Sequence, residues 1–328
     1  MKDKFVMGLD IGYSNLKVVA GTQGKARSHV LPVGAGPSRL MPRDLRGGAI
    51  DAIYVSVDDE EYAAGVEPDR LQSWERELHG SYTETKSYRA LFYAALLLSE
   101  SETIDVLVTG LPVDQFKNPK NREALESMMK GQHQITPAVS VTVKEVVVVP
   151  QPGGAYLHAV SSVTDTDIIE LFDEGRTLII DPGFYSVDFV SFLAGEIQYD
   201  YSGTSHEAVS AILEHCASSI QRDYGFLPKI DMIEKAIRMH KPHIFLNSRK
   251  VPLGNYLTKA SADVAEIALT AMKRTLRKDD MNPDVVVLAG GGAMFYEGAA
   301  RSVYPLAKIV VPEQSVMAIA DGYWSLGA

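Results

Sequence analysis

Cysteine is nearly missing from this sequence of 328 residues, which holds one thiol, at Cys216. A single cysteine excludes an intrachain disulfide framework and suits a reducing compartment, so we expect a cytoplasmic protein. Long apolar runs are missing too. The longest, near residues 90–98, is shorter than a membrane-spanning helix requires and is flanked by Arg89 and Glu100. The first residues run into a strand-like segment with no signal-peptide core. We therefore expect no membrane partner.

Positive charge is in deficit: 32 Lys and Arg stand against 42 Asp and Glu, for a net charge of −10. This balance argues against broad direct binding to DNA or to anionic membranes, which attract basic surfaces. The histidines form no recognisable metal motif, since His240 and His243 have no Cys or acidic partner beside them. What remains is the composition of a globular protein long enough for two domains.

What the sequence does contain is an internal repeat. An apolar run ends in Asp10, a turn with Gly12 follows, and a second apolar run covers residues 16–20. The same order recurs at Asp181, Gly183 and residues 187–193. Short apolar, β-branched runs around a glycine turn predict two β-hairpins of the same construction.

Two further pairs of segments follow these hairpins in the same order. Residues 105–112 match residues 284–292, each an apolar run that ends in a glycine turn. Residues 148–160 match residues 310–320, each opening a helical pattern after a proline. Three matched pairs in one order predict a duplicated pair of α/β domains.

The expected domains are residues 1–160 and 161–314, with a C-terminal helix, 315–328, that packs back on the first. Each domain has an expected insertion. The first covers about 33–80 and contains a hairpin of residues 53–57 and 61–63. The second covers about 205–258 and is mostly helical.

The residue types at the two hairpins suit a phosphate-bearing ligand. A glycine turn lets backbone N–H groups approach phosphate oxygens with no Cβ in the way. Asp10 and Asp181 can hold Mg²⁺ through its water shell, because Mg²⁺ sheds water reluctantly. Lys17 can reach a phosphate or can be a solvated strand residue. The turn at residues 290–292 is expected to accept the flat face of adenosine.

Five motifs, in order, resemble those of the actin, Hsp70 and sugar-kinase superfamily. Residues 10–17 resemble its phosphate-1 motif, residues 181–188 its phosphate-2 motif and residues 288–293 its adenosine motif. Residues 150–155 and 315–323 are similar to its two connecting helices. The resemblance covers nearly the whole chain. It implies an actin-like fold: two duplicated RNase H-like α/β domains with inserted small subdomains and a nucleotide cleft between them.

Carried over by position, the resemblance implies a site for ATP or ADP and Mg²⁺. Asp10 and Asp181 would hold the ion through water, and Gln151, Asp188 and Asp10 would act in hydrolysis. Gln151 could instead only cap its helix. Asp188 departs from actin, which has His there, and agrees with Hsp70-like members. The expected nucleotide contacts are Asp10, Gly12, Tyr13, Ser14, Asn15, Lys17, Asp181, Gly183, Phe184, Tyr185, Gly203, Gly290, Gly291, Gly292 and Ala293.

Within the superfamily, residues 9–17 and 109–112 look like those of ParM-like plasmid-segregation actins and archaeal actin-like ATPases. That branch implies ATP-driven filaments of the chain itself, a centromere-binding adaptor protein and only indirect contact with DNA. A sugar-type small-molecule kinase or a non-polymerising ATP-dependent regulator of the same fold stays open. The basic residues within 229–250 are either a solvated face, which we favour, or a filament contact.

Overall fold

The computed structural model describes residues 4–42, 52–72, 76, 80–276 and 282–328. The contacts between Cα atoms divide the chain into two compact units. Unit 1 is Met1–Ser161 with Met317–Ala328, and unit 2 is Ser162–Val316. Part of the expected first insertion, at 43–51, 73–75 and 77–79, lies outside the described residues. Within the part of the chain that is described, no helix has both the length and the apolar character needed to cross a bilayer.

Unit 1 begins with strands and ends in helices. Its strands are β1 (Val6–Ile11), β2 (Asn15–Gly21), β3 (Arg27–Pro32), β4 (Gly34–Pro37), β5 (Ile53–Val57), β6 (Glu60–Val66), β7 (Thr103–Leu111), β8 (Gly131–Thr136) and β9 (Val139–Pro150). Its first helices are α1 (Lys86–Leu98), α2 (Val113–Phe116), α3 (Pro119–Met129) and α4 (Gln151–Ser162). Short 3-10 turns cover Ser38–Leu40, Pro68–Arg70 and Tyr82–Glu84.

The main sheet of unit 1 has six strands in the order β3-β2-β1-β7-β9-β8. Every residue of β1 is buried, as expected of a central strand that is covered on both faces. Strand β1 runs antiparallel to β2 and parallel to β7, so the predicted hairpin at Asp10 is confirmed. Thr85 caps the start of helix α1, because its hydroxyl accepts the N–H of Tyr88. The apolar face of α1 packs into the core.

The first insertion is a small sheet of its own, in the order β4-β6-β5. The predicted hairpin is confirmed: β5 pairs with β6 antiparallel across the turn at Asp58 and Asp59. Both turn residues have positive φ, 51° and 64°, as the tight turn of a twisted two-stranded hairpin requires.

Unit 2 repeats the plan. Its strands are β10 (Arg176–Pro182), β11 (Val187–Leu193), β12 (Glu196–Ser205), β13 (His243–Leu246), β14 (Arg249–Pro252), β15 (Val285–Leu288) and β16 (Lys308–Val310). Its helices are α5 (Thr166–Glu174), α6 (Val209–Tyr224), α7 (Ile230–Arg238), α8 (Gly254–Leu276) and α9 (Ala293–Val303). The sheet order β12-β11-β10-β15-β16 has the same strand directions as β3-β2-β1-β7-β9. The predicted duplication of an α/β fold is therefore confirmed.

The second insertion holds the predicted helical segment, α6, followed by α7. It also holds a hairpin of β13 and β14 that the sequence reading did not predict. Its turn residues, Asn247 and Ser248, have φ of 46° and 65°. Asn247 is a turn signal in the sequence, because Asn tolerates positive φ. The hairpin is nevertheless hard to predict, since its strands have only four residues each.

The last helix, α10 (Ala318–Gly327), packs on β1, β2 and β7 of unit 1. Its close approach depends on glycine. A Cβ on Gly8 of β1 would lie 2.2 Å from the carbonyl oxygen of Ala320. A Cβ on Gly322 would lie 1.8 Å from the carbonyl oxygen of Gly154, in α4. The indole N–H of Trp324 donates to the carbonyl of Gly21 at 3.2 Å.

The crossing of α4 and α10 makes a first prediction. We expect Gly322→Ala to destabilise the protein by about 1–3 kcal/mol, because the new methyl group must displace the backbone of Gly154. The matched control is Gly298→Ala in α9, where a Cβ would meet nothing within 4 Å. That change should be neutral or stabilising through helix propensity. Thermal unfolding followed by circular dichroism compares the two, and equal melting temperatures would contradict this role of Gly322.

Candidate functional site

The first glycine turn joins β1 to β2 and is closed by its own backbone. The N–H of Gly12 donates to the carbonyl of Asn15 at 3.1 Å. Within the turn, the amide of Asn15 donates to the hydroxyl of Ser14 at 3.2 Å. These bonds hold a short, defined loop at the end of a buried strand, as a phosphate-binding turn requires.

Asp10 lies directly across from Lys17 in the register of this hairpin. The ammonium group of Lys17 donates to Asp10 Oδ2 at 2.6 Å, and both residues are buried. The side-chain amide of Gln151, the first residue of α4, donates to Asp10 Oδ1 at 3.3 Å. Three of the predicted residues thus form one hydrogen-bonded group. Lys17 is paired with the carboxylate here, and its contact with a phosphate stays a prediction.

An aromatic stack, which the sequence reading missed, supports this turn. The ring of Tyr13 stacks on Tyr82, with 4.8 Å between centroids, and Tyr82 meets Tyr88 edge to face at 5.2 Å. Burial raises the pKa of Tyr88 well above its ordinary value, so it is a neutral anchor. The stack ties the turn to the start of α1. Tyr82 is 69 residues from Tyr13 by numbering, and no local pattern links them.

The second glycine turn, between β10 and β11, is built in the same way. The N–H of Gly183 donates to the carbonyl of Ser186 at 2.8 Å. The start of α6 packs against this turn, because the N–H groups of Val209 and Ser210 donate to the carbonyls of Gly183 and Phe184. The ring of Tyr185 lies 5.8 Å from that of His206.

Asp188 lies across from Asp181 in the register, at the position that Lys17 occupies in unit 1. It is buried, and both of its oxygens accept hydroxyl hydrogen bonds. Ser186 donates to Oδ2 at 2.9 Å and Thr204 donates to Oδ1 at 2.6 Å. Thr204, which the sequence reading missed, is the cross-strand partner of Asp188 on β12, next to the predicted Gly203.

The glycines at 290–292 have different tasks. Gly290 has a φ of 78°, and a Cβ there would lie 2.0 Å from Asp181 Oδ1. A Cβ on Gly292 would lie 2.4 Å from the carbonyl of Pro182, which accepts the N–H of Gly292 at 3.0 Å. These two therefore let the turn close onto the second hairpin. Gly291 is exposed, and Ala293 begins α9.

Each unit offers one strand-end aspartate whose carboxylate is of a type that can bind Mg²⁺. Among the described residues, no three His, Cys, Asp or Glu side chains come together as a metal-binding group. Asp10 and Asp181 offer carboxylate oxygens at strand ends, and Mg²⁺ is commonly held by one or two carboxylates, its own waters and substrate phosphates.

Both halves of the sequence match family models. The model for the N-terminal domain of actin-like proteins matches residues 8–154. The model for the C-terminal domain of archaeal, MreB-like actin homologues matches residues 179–299. Together with the duplicated sheets, these matches place the chain in the actin-like superfamily, as its motifs predicted. Within it, the chain resembles the ParM-like and archaeal actin homologues.

Solved structures share the fold along the whole chain. Ta0583, an archaeal actin homologue in complex with ADP, has a TM-score of 0.76 at 18% identity, covering 98% of this chain and 99% of that one. A pCBH ParM non-polymerisable quadruple mutant has a TM-score of 0.76 at 20% identity and 99% of each chain. A ParM in a 15-stranded filament from Clostridium botulinum has a TM-score of 0.74 at 19% identity and 99% of each chain. No curated protein matches the sequence significantly.

The hydrogen bond from the Thr204 hydroxyl to Asp188 leads to a second prediction. We expect Thr204→Val to cost about 1–3 kcal/mol of stability, because it removes a hydroxyl that donates to a buried carboxylate. Thr204→Ser keeps the hydroxyl and should retain most of the stability. Urea unfolding gives both values, and a Thr204→Val protein as stable as the wild type would contradict the importance of this bond.

Proposed function

We propose that the chain binds ATP with Mg²⁺, hydrolyses it to ADP and phosphate, and assembles into filaments in its ATP-bound form. The observation that carries this proposal is the group formed by Asp10, Lys17 and Gln151. It joins a carboxylate, a cation and an amide at a glycine turn, with a second turn of the same construction in unit 2. Support comes from an archaeal relative solved with ADP and a ParM relative solved as a filament.

In this mechanism the chain positions groups and balances charge, which is most of what phosphoryl transfer requires of a protein. Magnesium, when bound, would neutralise charge on the phosphates. Asp10 and Asp181 would hold it through water. Lys17, already beside Asp10, would share its positive charge between that carboxylate and a phosphate oxygen.

Gln151 would orient the attacking water. The side-chain NH₂ group of Gln151 donates to Asp10, and Gln151 is the first residue of α4. The side-chain oxygen of Gln151 could therefore accept a hydrogen bond from water while the helix holds the residue in position. Asp188, held by Ser186 and Thr204, would order a second water or accept a proton. Hydrolysis would then time disassembly, if the ATP-bound state is the one that assembles.

The cargo is the finer part of the proposal. We propose that the filaments move plasmid DNA through a centromere-binding adaptor protein, since the ParM-like resemblance implies it and the net charge of −10 favours indirect contact with DNA. Two rivals of the same fold are a sugar-type kinase and a non-polymerising regulator.

One experiment tests the function and separates these rivals. Purified protein is sedimented with Mg-ATP, with Mg-ADP and without nucleotide, while phosphate release is followed in the same samples. ATP-dependent pelleting, with filaments in electron micrographs, is the expected result. Phosphate release without pelleting would favour the regulator. Formation of ADP and a phosphorylated sugar, without release of free phosphate, when a sugar is added would favour the kinase.

Gln151 supplies a third prediction. We expect Gln151→Ala to slow phosphate release by about 10²-fold, roughly 3 kcal/mol, because a positioning group is lost. ATP binding should stay nearly intact, and filaments should form and persist longer. Asp10→Ala should instead weaken Mg-nucleotide binding and assembly together. Light scattering and phosphate release are recorded in one sample. A normal hydrolysis rate in Gln151→Ala would reduce Gln151 to a residue that starts a helix.

The exposed Gly291 leads to a fourth prediction. We expect Gly291→Val to weaken nucleotide binding at least about tenfold, because the side chain enters the space proposed for adenosine. Stability should change little, since Gly291 is exposed, unlike its neighbours Gly290 and Gly292. Gly298→Val on the exposed face of α9 is the control. Calorimetry that finds equal affinity for the three proteins would count against adenosine at this turn.

A further inference from the structure

The β13–β14 hairpin presents an apolar and basic surface. Ile244 and Val251 turn inward and are buried, whereas Phe245, on the opposite face, is 62% exposed. Phe245 is paired with Lys250 in the register, so these two share a face. Arg249, paired with Leu246 next to the turn, lies on the other face, and both cations are exposed. The ring of Phe245 is braced by His243, at 5.3 Å between centroids. We name Phe245, Arg249 and Lys250, with exposed Lys241, the hairpin surface.

The charge of this segment is opposite to that of the chain. Residues 239–252 contain Lys241, Arg249 and Lys250 and no Asp or Glu, in a protein whose net charge is −10. An aromatic side chain that is so largely exposed, among cations, is typical of a contact surface rather than of a merely solvated face. Its partner should offer carboxylates around an apolar group.

Helix α5 is such a surface on the same chain. Residues 165–174 contain five carboxylates and no Lys or Arg. Phe172 is buried and anchors the helix to the sheet of unit 2, while Ile169 is 38% exposed. Asp173 lies one helical turn from Ile169, Glu170 follows Ile169 in the sequence, and both carboxylates are exposed. We name Ile169, Glu170 and Asp173 the acidic helix surface.

We infer that the hairpin surface of one copy binds the acidic helix surface of the next copy, and that this contact builds the filament. The inference rests on the proposed filament function. Phe245 would pack on Ile169, with Arg249 and Lys250 opposite Glu170 and Asp173. Two different surfaces that meet make a head-to-tail contact, which continues into an open polymer when it does not close into a ring.

Charge reversal tests the pairing. Arg249→Glu with Lys250→Glu reverses the hairpin surface, and Glu170→Lys with Asp173→Lys reverses the acidic helix surface. Each pair alone should raise the critical concentration for ATP-dependent pelleting by about tenfold or more, because like charges then face each other. The chain with all four changes should pellet again near the wild-type concentration, because the opposite charges are restored with their signs exchanged. Added salt should raise the wild-type critical concentration.

The apolar part has its own matched pair. Phe245→Ser should also raise the critical concentration, whereas Leu306→Ser, which removes a side chain that is 94% exposed, should leave it unchanged. Circular dichroism melts and nucleotide affinity, measured below the critical concentration, should match the wild type in every variant. These readouts separate a lost contact from a lost fold or a lost nucleotide site.

Two outcomes would overturn the inference while the filament function stands. One is wild-type pelleting by Phe245→Ser and by both reversed pairs. The other is failure of the four-change chain to recover although it folds and binds nucleotide. If the wild type itself does not pellet with ATP, the filament function fails and the inference with it.

Discussion

The structure depends on carboxylates that are buried at strand ends and must be compensated there. A buried charge without partners costs several kcal/mol, so each such group fixes its neighbours. Asp10 is 3% exposed and receives Lys17 on one oxygen and Gln151 on the other. Asp188 is 2% exposed and receives two hydroxyls. The bond from Gln151 connects β1 to the start of α4, far along the chain, and the bond from Thr204 connects β11 to β12.

Close packing is the second constraint, and it explains why particular positions must be glycine. Gly290 has no room for a side chain because Asp181 lies against it, and Gly322 has none because α10 crosses α4 there. A family motif written as three consecutive glycines therefore mixes roles. Gly290 leaves room for the Asp181 carboxylate, Gly292 leaves room for the carbonyl of Pro182, and Gly291 is exposed. A glycine motif alone cannot separate packing from ligand contact.

Much of the fold was predictable because the sequence repeats itself. The hairpins at Asp10 and Asp181 and the glycine turn before α9 follow from apolar runs and turn residues. The β13–β14 hairpin was missed because its strands are short and carry little alternation. Thr204 and Tyr82 were missed for another reason: each contacts a predicted residue from a different element, 16 and 69 residues away in sequence, and such contacts leave no local signal.

The repeat also shows where likeness between the halves stops. Lys17 and Asp188 occupy equivalent register positions, each opposite the strand-end aspartate of its hairpin, yet they carry opposite charges. The same strand pairing accommodates both residues because each buried charge has its own partners. Lys17 forms an ion pair with Asp10 in unit 1, and two hydroxyls donate to Asp188 in unit 2. Duplication therefore preserved the strand order and the glycine turns, on which folding depends, and left the facing position free to diverge. Function must be argued from that divergent position, because a single shared fold supports many activities.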